Sequence, residues 1–146
     1  MGPKSDKDEE QGVRYHARER VNPEGRSEWA FEERAVSMMP TQMILVRLMI
    51  AKIENTNGLA KLLRDIPIRQ GQEGWNCVLW VKEALSHLQQ SKGVIGTSAV
   101  GWQAVRDMAK SYCQKKKDQH RFDGKGNFDY SRVPTFDMIQ KKETIA

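Results

Sequence analysis

Gly74-Trp75-Asn76-Cys77-Val78-Leu79-Trp80-Val81-Lys82-Glu83-Ala84-Leu85 is the stretch on which the fold turns. Val78, Val81, Ala84 and Leu85, with Leu88 beyond them, recur at helical spacing on one stripe, and Cys77 lies beside it. The spacing predicts a helix over 75–90 that packs one side against another layer. Its start puts Cys77 in the first turn. There the unpaired N–H groups and the positive end of the helix dipole favour a thiolate over a thiol. Many cysteine nucleophiles are held this way, and so are some buried thiols.

Towards the N-terminus, Val13, Tyr15 and Ala17 alternate with Arg14, His16 and Arg18, the period of a half-buried strand. Asn22-Pro23-Glu24-Gly25 is a turn signal, and Trp29 and Phe31 then alternate with Glu28, Ala30 and Glu32. The two strands should form a hairpin. The apolar run 43–53 contains β-branched Ile44, Val46 and Ile50, which suits a central strand, while its Leu and Met residues leave a helix as the alternative. Asn55-Thr56-Asn57-Gly58 reads as a turn and cap for a short helix through Leu59, Leu62 and Leu63, ending before Pro67. Towards the C-terminus, Gly93 and Gly96 interrupt the chain and Ser98 is placed to cap a third helix. That helix should carry Trp102, Val105, Met108, Ala109 and Tyr112 inward and end at Lys115-Lys116-Lys117, where lysines complement the dipole. The expected fold is α+β: a small antiparallel sheet of about three strands packed on two longer helices and one short one. Its expected organisation is a flexible charged lead over 1–11, a single domain over 12–121, and an extended arm over 122–146 that packs aromatics on the body.

With 146 residues, 38% of them apolar, the chain can build one modest core. The run 43–53 is broken by Arg47 and Lys52, so it does not read as a membrane span. The charged start lacks the apolar segment of a secretory signal, and two cysteines in such a chain read as reduced thiols. An intracellular protein, cytoplasmic or nuclear, is expected. A net charge of +5 permits an anionic partner without demanding one, and nucleic acid is the least favoured. No phosphate loop, dinucleotide fingerprint or zinc-ligand spacing occurs, so neither a cofactor nor a metal is expected. The segment from Asp123 to Asp129 faintly resembles a calcium loop, but Pro134 stands where its twelfth-position carboxylate belongs.

A nucleophilic cysteine needs a base, usually histidine. His87 is ten residues along the same helix, roughly 15 Å from Cys77, and too far. His120 stands in a polar stretch, which leaves His16 as the candidate base. N–H groups at the helix start, with Asn76, would stabilise an oxyanion, and Trp75 and Trp80 would either wall a pocket or fill the core. Cys113, near Ala109 and Val105 on its helix, reads as a core thiol.

The segments Gly12-Val-Arg-Tyr-His-Ala-Arg-Glu-Arg20, Gly74 to Leu85 as quoted above, and Phe122-Asp-Gly-Lys-Gly-Asn-Phe-Asp129 resemble a family of uncharacterised fungal proteins, most specifically in Asn-Cys-Val-x-Trp-Val-x-x-Ala-Leu. That family brings no activity to carry over. A more distant likeness is to the lecithin–retinol acyltransferase and NlpC-type branch of papain-like thiol enzymes. On its pattern Cys77 matches the nucleophile and His16 falls near the second, orienting position. The fungal relatives usually begin with a further histidine-bearing strand that ends near a Gly-Pro-Lys-like segment, whereas this chain starts at Met1-Gly2-Pro3-Lys4. The resemblance thus implies either a shortened papain-like scaffold, or a His16 that acts alone, or a protein that is not catalytic.

Two functions follow as expectations. The first is a thiol hydrolase or acyltransferase scaffold, catalytically degenerate if the base is missing, in which Cys77 attacks an acyl or isopeptide carbonyl. The second is a non-catalytic module that holds a peptide or protein with a Trp-lined pocket and a basic surface. A missing edge strand would leave a sheet edge open to a second copy of the chain.

Overall fold

The structure, a computed structural model, describes residues 11–146. The lead expected over 1–11 lies outside the described residues except for Gln11, which opens the first strand. The chain forms two compact units, each drawn from two separate stretches. One combines the described part of Met1–Met38 with Asn55–Val94, and the other combines Met39–Glu54 with Ile95–Ala146.

The first unit contains β1 (Gln11–Val21), β2 (Ser27–Ser37), α1 (Thr56–Arg64) and α2 (Cys77–Gln90). β1 and β2 are an antiparallel hairpin in the register Ala17 opposite Phe31 and His16 opposite Glu32. Asn22 fixes its turn: the side-chain oxygen accepts from the Glu24 and Arg26 amides, and Gly25 supplies the positive φ of 78°. Asn55 caps α1 by accepting from the Gly58 amide, and Leu59, Ala60 and Leu63 are buried.

Helix α2 exists as expected, and Ala84, Leu85 and Leu88 of its expected stripe face in, but in its first turns Trp80 takes the inward place expected for Val78 and Val81. Trp80, Ala84, Leu85 and Leu88 are buried, whereas Val78 and Val81 are 50% and 38% exposed. The larger Trp80 wins the inward position because it meets Phe31 of the hairpin, ring centroids 5.9 Å apart. Burying Trp80 and Leu85 is worth about 1.5–3 kcal/mol each.

The second unit contains β3 (Arg47–Met49), β4 (Ala51–Ile53), β5 (Ile95–Ser98), α3 (Trp102–Asp118), β6 (Thr135–Asp137) and β7 (Lys142–Ile145). The α+β class is as expected, with two longer helices and one short one. The strands differ from expectation: they form three small sheets rather than one, ordered β1-β2, β3-β6-β7 and β4-β5. β3 and β6 run parallel. The run 43–53 is not one central strand. It splits at Ile50, whose carbonyl accepts from the Ala99 amide, and its two halves pair with different partners.

Ser98 ends β5 rather than capping α3, which starts after Gly101 without a side-chain cap. The stretch 122–146 supplies β6 and β7, and β6 pairs with both β3 and β7. The expected boundary at 121/122 therefore falls inside the second unit. No helix among the described residues is long and apolar enough to cross a membrane.

Candidate functional site

Asn76 starts α2. Its side-chain oxygen accepts from the Val78 amide at 2.9 Å and the Leu79 amide at 3.3 Å. Asparagine is among the best residues for this position, because it satisfies donors that the first helical turn leaves orphaned. The cap has a chemical consequence. Two of the N–H groups expected to hold an oxyanion, those of Val78 and Leu79, are already occupied, with Asn76 engaged as their acceptor. Cys77 follows at the first helical position, exposed and free.

The hairpin decides where His16 goes. Successive side chains on a strand point to opposite faces. Trp29 and Phe31 lie over Trp75 and Trp80, at centroid distances of 5.6 and 5.9 Å, so their face is the one that meets α2. Tyr15, Ala17 and Glu33 share it by register, and Glu33 takes a two-point ion pair from Arg64 of α1, at 2.6 and 2.8 Å. Arg64 holds the Glu33 carboxyl below its ordinary value. His16 is on the opposite face, with Arg14, Arg18 and Arg20. Its Nε2 is 2.7 Å from Glu32, which also pairs with Arg14 at 3.1 Å and Arg18 at 2.9 Å. The hydrogen bond with His16, then that from Arg14, holds the Glu32 carboxyl low. The hairpin thus stands between His16 and the helix that carries Cys77, and the expected thiol–imidazole pair is not assembled.

The two tryptophans have different positions. Trp80 is 2% exposed and fills the core. Trp75 is also buried but borders an open groove of about 350 Å³ along α2, lined by Leu79, Lys82, Glu83, Ser86 and His87. Among the described residues neither indole N–H has an acceptor. Edge-to-face packing of Trp29 on Trp75 explains how the groove's floor is fixed. His87, too distant to serve Cys77, is a wall of this groove.

Sequence reasoning passed over two further clusters. One is the arginine face of the hairpin, whose signal was the alternation Arg14-x-His16-x-Arg18-x-Arg20. The other is in the second unit. Lys116, expected as a solvated lysine at a helix end, is 1% exposed and pairs with Glu143 at 2.7 Å. Arg121 is 4% exposed, donates to the main-chain oxygens of Asp129, Arg132 and Ala146, and stacks on Phe128 and Tyr130. Cys113 is half-buried and free. Among the described residues no group of three or more His, Cys, Asp or Glu side chains is arranged to hold a metal.

The sequence matches a family of unknown function, DUF6914, over residues 1–145, and the chain belongs to that family. No curated protein and no solved structure matches it.

Proposed function

We propose that this member of a family of unknown function is a non-catalytic peptide- or protein-binding module. The groove on α2 carries this reading. Trp75 gives it a rigid aromatic floor, Leu79 an exposed apolar wall, and Lys82, Glu83, Ser86 and His87 a rim that can hydrogen-bond. A few well-placed polar groups around an apolar patch are how peptide sites gain both affinity and orientation. The occupant is a short segment that inserts one apolar side chain against Trp75 and Leu79.

Peptides selected from a displayed random library should share an apolar anchor and lose about tenfold in affinity against Leu79→Asp. Leu79 is 38% exposed, so this change spares the core. Selected peptides that bind the variant equally well would refute the reading.

Exposed Cys77 at a helix start supports a second reading, the thiol hydrolase or acyltransferase on a papain-like scaffold. Here a base other than His16 is needed. Turnover of an activated ester that disappears in Cys77→Ala would favour this enzyme over the binding module. Under the binding reading, Cys77 alkylates readily because it is exposed, and His16→Ala leaves that rate unchanged. Both readings place the protein inside the cell, where its two thiols stay reduced.

A further inference from the structure

The face of the hairpin turned away from α2 carries four cross-strand pairs: Arg14 with Arg34, His16 with Glu32, Arg18 with Ala30, and Arg20 with Glu28. Four arginines meet two carboxylates. Glu28 is taken by Arg20 at 2.7 Å, and Glu32 is divided among Arg14, His16 and Arg18. Arg34 forms no ion pair among the described residues, although it is directly opposite Arg14. Like charges placed opposite each other on a sheet oppose its formation. Directly opposite Arg18 stands the small, uncharged Ala30, so Arg18 reaches to the neighbouring Glu32 that Arg14 and His16 also use. The free chain thus carries uncompensated positive charge along one flat ribbon. No Phe, Tyr or Trp is on this face, and its one ring, the His16 imidazole, is held by Glu32.

We propose that this face docks an extended acidic segment of a partner protein, with Arg34, Arg14 and Arg18 receiving its carboxylates. Alternate side chains of an extended chain repeat every 6.8 Å or so, the interval at which Arg14, His16, Arg18 and Arg20 follow one another on β1, so Arg14 and Arg18 are two repeats apart. Guanidinium and carboxylate match as two-point forks, and each added carboxylate relieves the Arg14–Arg34 repulsion. A peptide can also place neutral residues opposite Glu28 and Glu32. A phosphate backbone, charged at every step, cannot, and the ribbon offers its bases no Phe, Tyr or Trp ring to stack on. This surface is separate from the α2 groove and stands or falls independently of it.

The probe is a fluorescent peptide of about ten residues with glutamate at alternate positions, titrated at about 0.05 M and about 0.3 M salt. Binding should weaken as salt rises, and Arg18→Glu with Arg34→Glu should reduce affinity by more than about tenfold. Both arginines are exposed, and an unchanged far-ultraviolet circular dichroism spectrum verifies that the hairpin persists. Arg34→Lys keeps the charge but not the fork and should lose less than Arg34→Glu. Undetectable binding at low salt, or equal affinity in the double variant, overturns the proposal. So does an oligonucleotide that binds more tightly than the peptide through the same arginines.

Discussion

The outer face of the hairpin and the Lys116–Arg121 cluster both gather several cations around few carboxylates, yet they solve the problem differently. On the hairpin, Glu32 serves two arginines and His16 at the surface, where water screens each pair. Around α3, Lys116 and Arg121 are withdrawn from water. Lys116 is held by Glu143 and lies over the rings of Tyr112 and Phe128, while Arg121 is held by three main-chain oxygens and two rings. A surface ladder leaves its cations available to a partner. A buried cluster spends them on its own fold, joining α3 to the strand β7.

The largest effect should come from breaking the buried cluster. Lys116→Ala leaves Glu143 and the Tyr112 hydroxyl facing each other without their cation, and should cost about 2–4 kcal/mol in urea unfolding. If the loss is no greater than that of a surface lysine such as Lys110, burial is not what distinguishes the two regions.

Acid should separate them next. Burial pushes the Glu143 carboxyl up, but hydrogen bonds from Lys116 and Tyr112 more than offset this and hold it below its ordinary 4.5. A carboxyl lowered in the folded state contributes stability above its unfolded value and loses it as pH falls through the folded one. The urea midpoint should therefore decline on acidification below about pH 4.5, and Glu143→Gln should flatten that decline. A decline of the same steepness in the variant would assign it to other carboxylates. Tyr112 acts at the opposite limit. Burial, then its bond to Glu143, raises its hydroxyl above the ordinary 10.0, so its contribution is whole below that pH and lost in stronger alkali.

The smallest effect belongs to the hairpin. Glu32→Gln removes the counter-charge that Arg14 and Arg18 share and the partner of His16, yet should shift the melting temperature less than Lys116→Ala does. Added salt should shrink the difference from wild type further, because these pairs are screened. A large, salt-insensitive loss would make Glu32 the centre of a structural cluster like the one on α3.

These contrasts also mark how far the sequence could be read. The hairpin was legible because its alternation and its Asn22–Gly25 turn are local, and α1 was legible from Asn55 and Pro67. Helix α2 was found with Ala84, Leu85 and Leu88 inward, but the inward residue of its first turns was misjudged. Val78 and Val81 fit the stripe as well as Trp80 does, and only contact with Phe31 ranks them. β5 and the parallel β3–β6 pair were missed because strands of three or four residues carry little period, and their partners are far away in sequence. Cys77 at a capped helix start was visible, as was His16 on a strand. Their separation was not, since alternation assigns faces without saying which face a helix will cover.

The sequence by itself determined the α+β class, the hairpin, three helices with one of them begun by Asn76-Cys77, and an excess of positive charge. These follow from interactions within a few residues: side-chain period, capping and turn chemistry. Tertiary structure alone decided that α2 covers the Phe31 face and not the His16 face, and that Asn76 fills the helix-start amides of Val78 and Leu79. It also decided that Lys116 goes into the core while four arginines stay outside. Each of those outcomes depends on which distant surface arrives to exclude water, and that surface fixes both what a charge costs and what it can still bind.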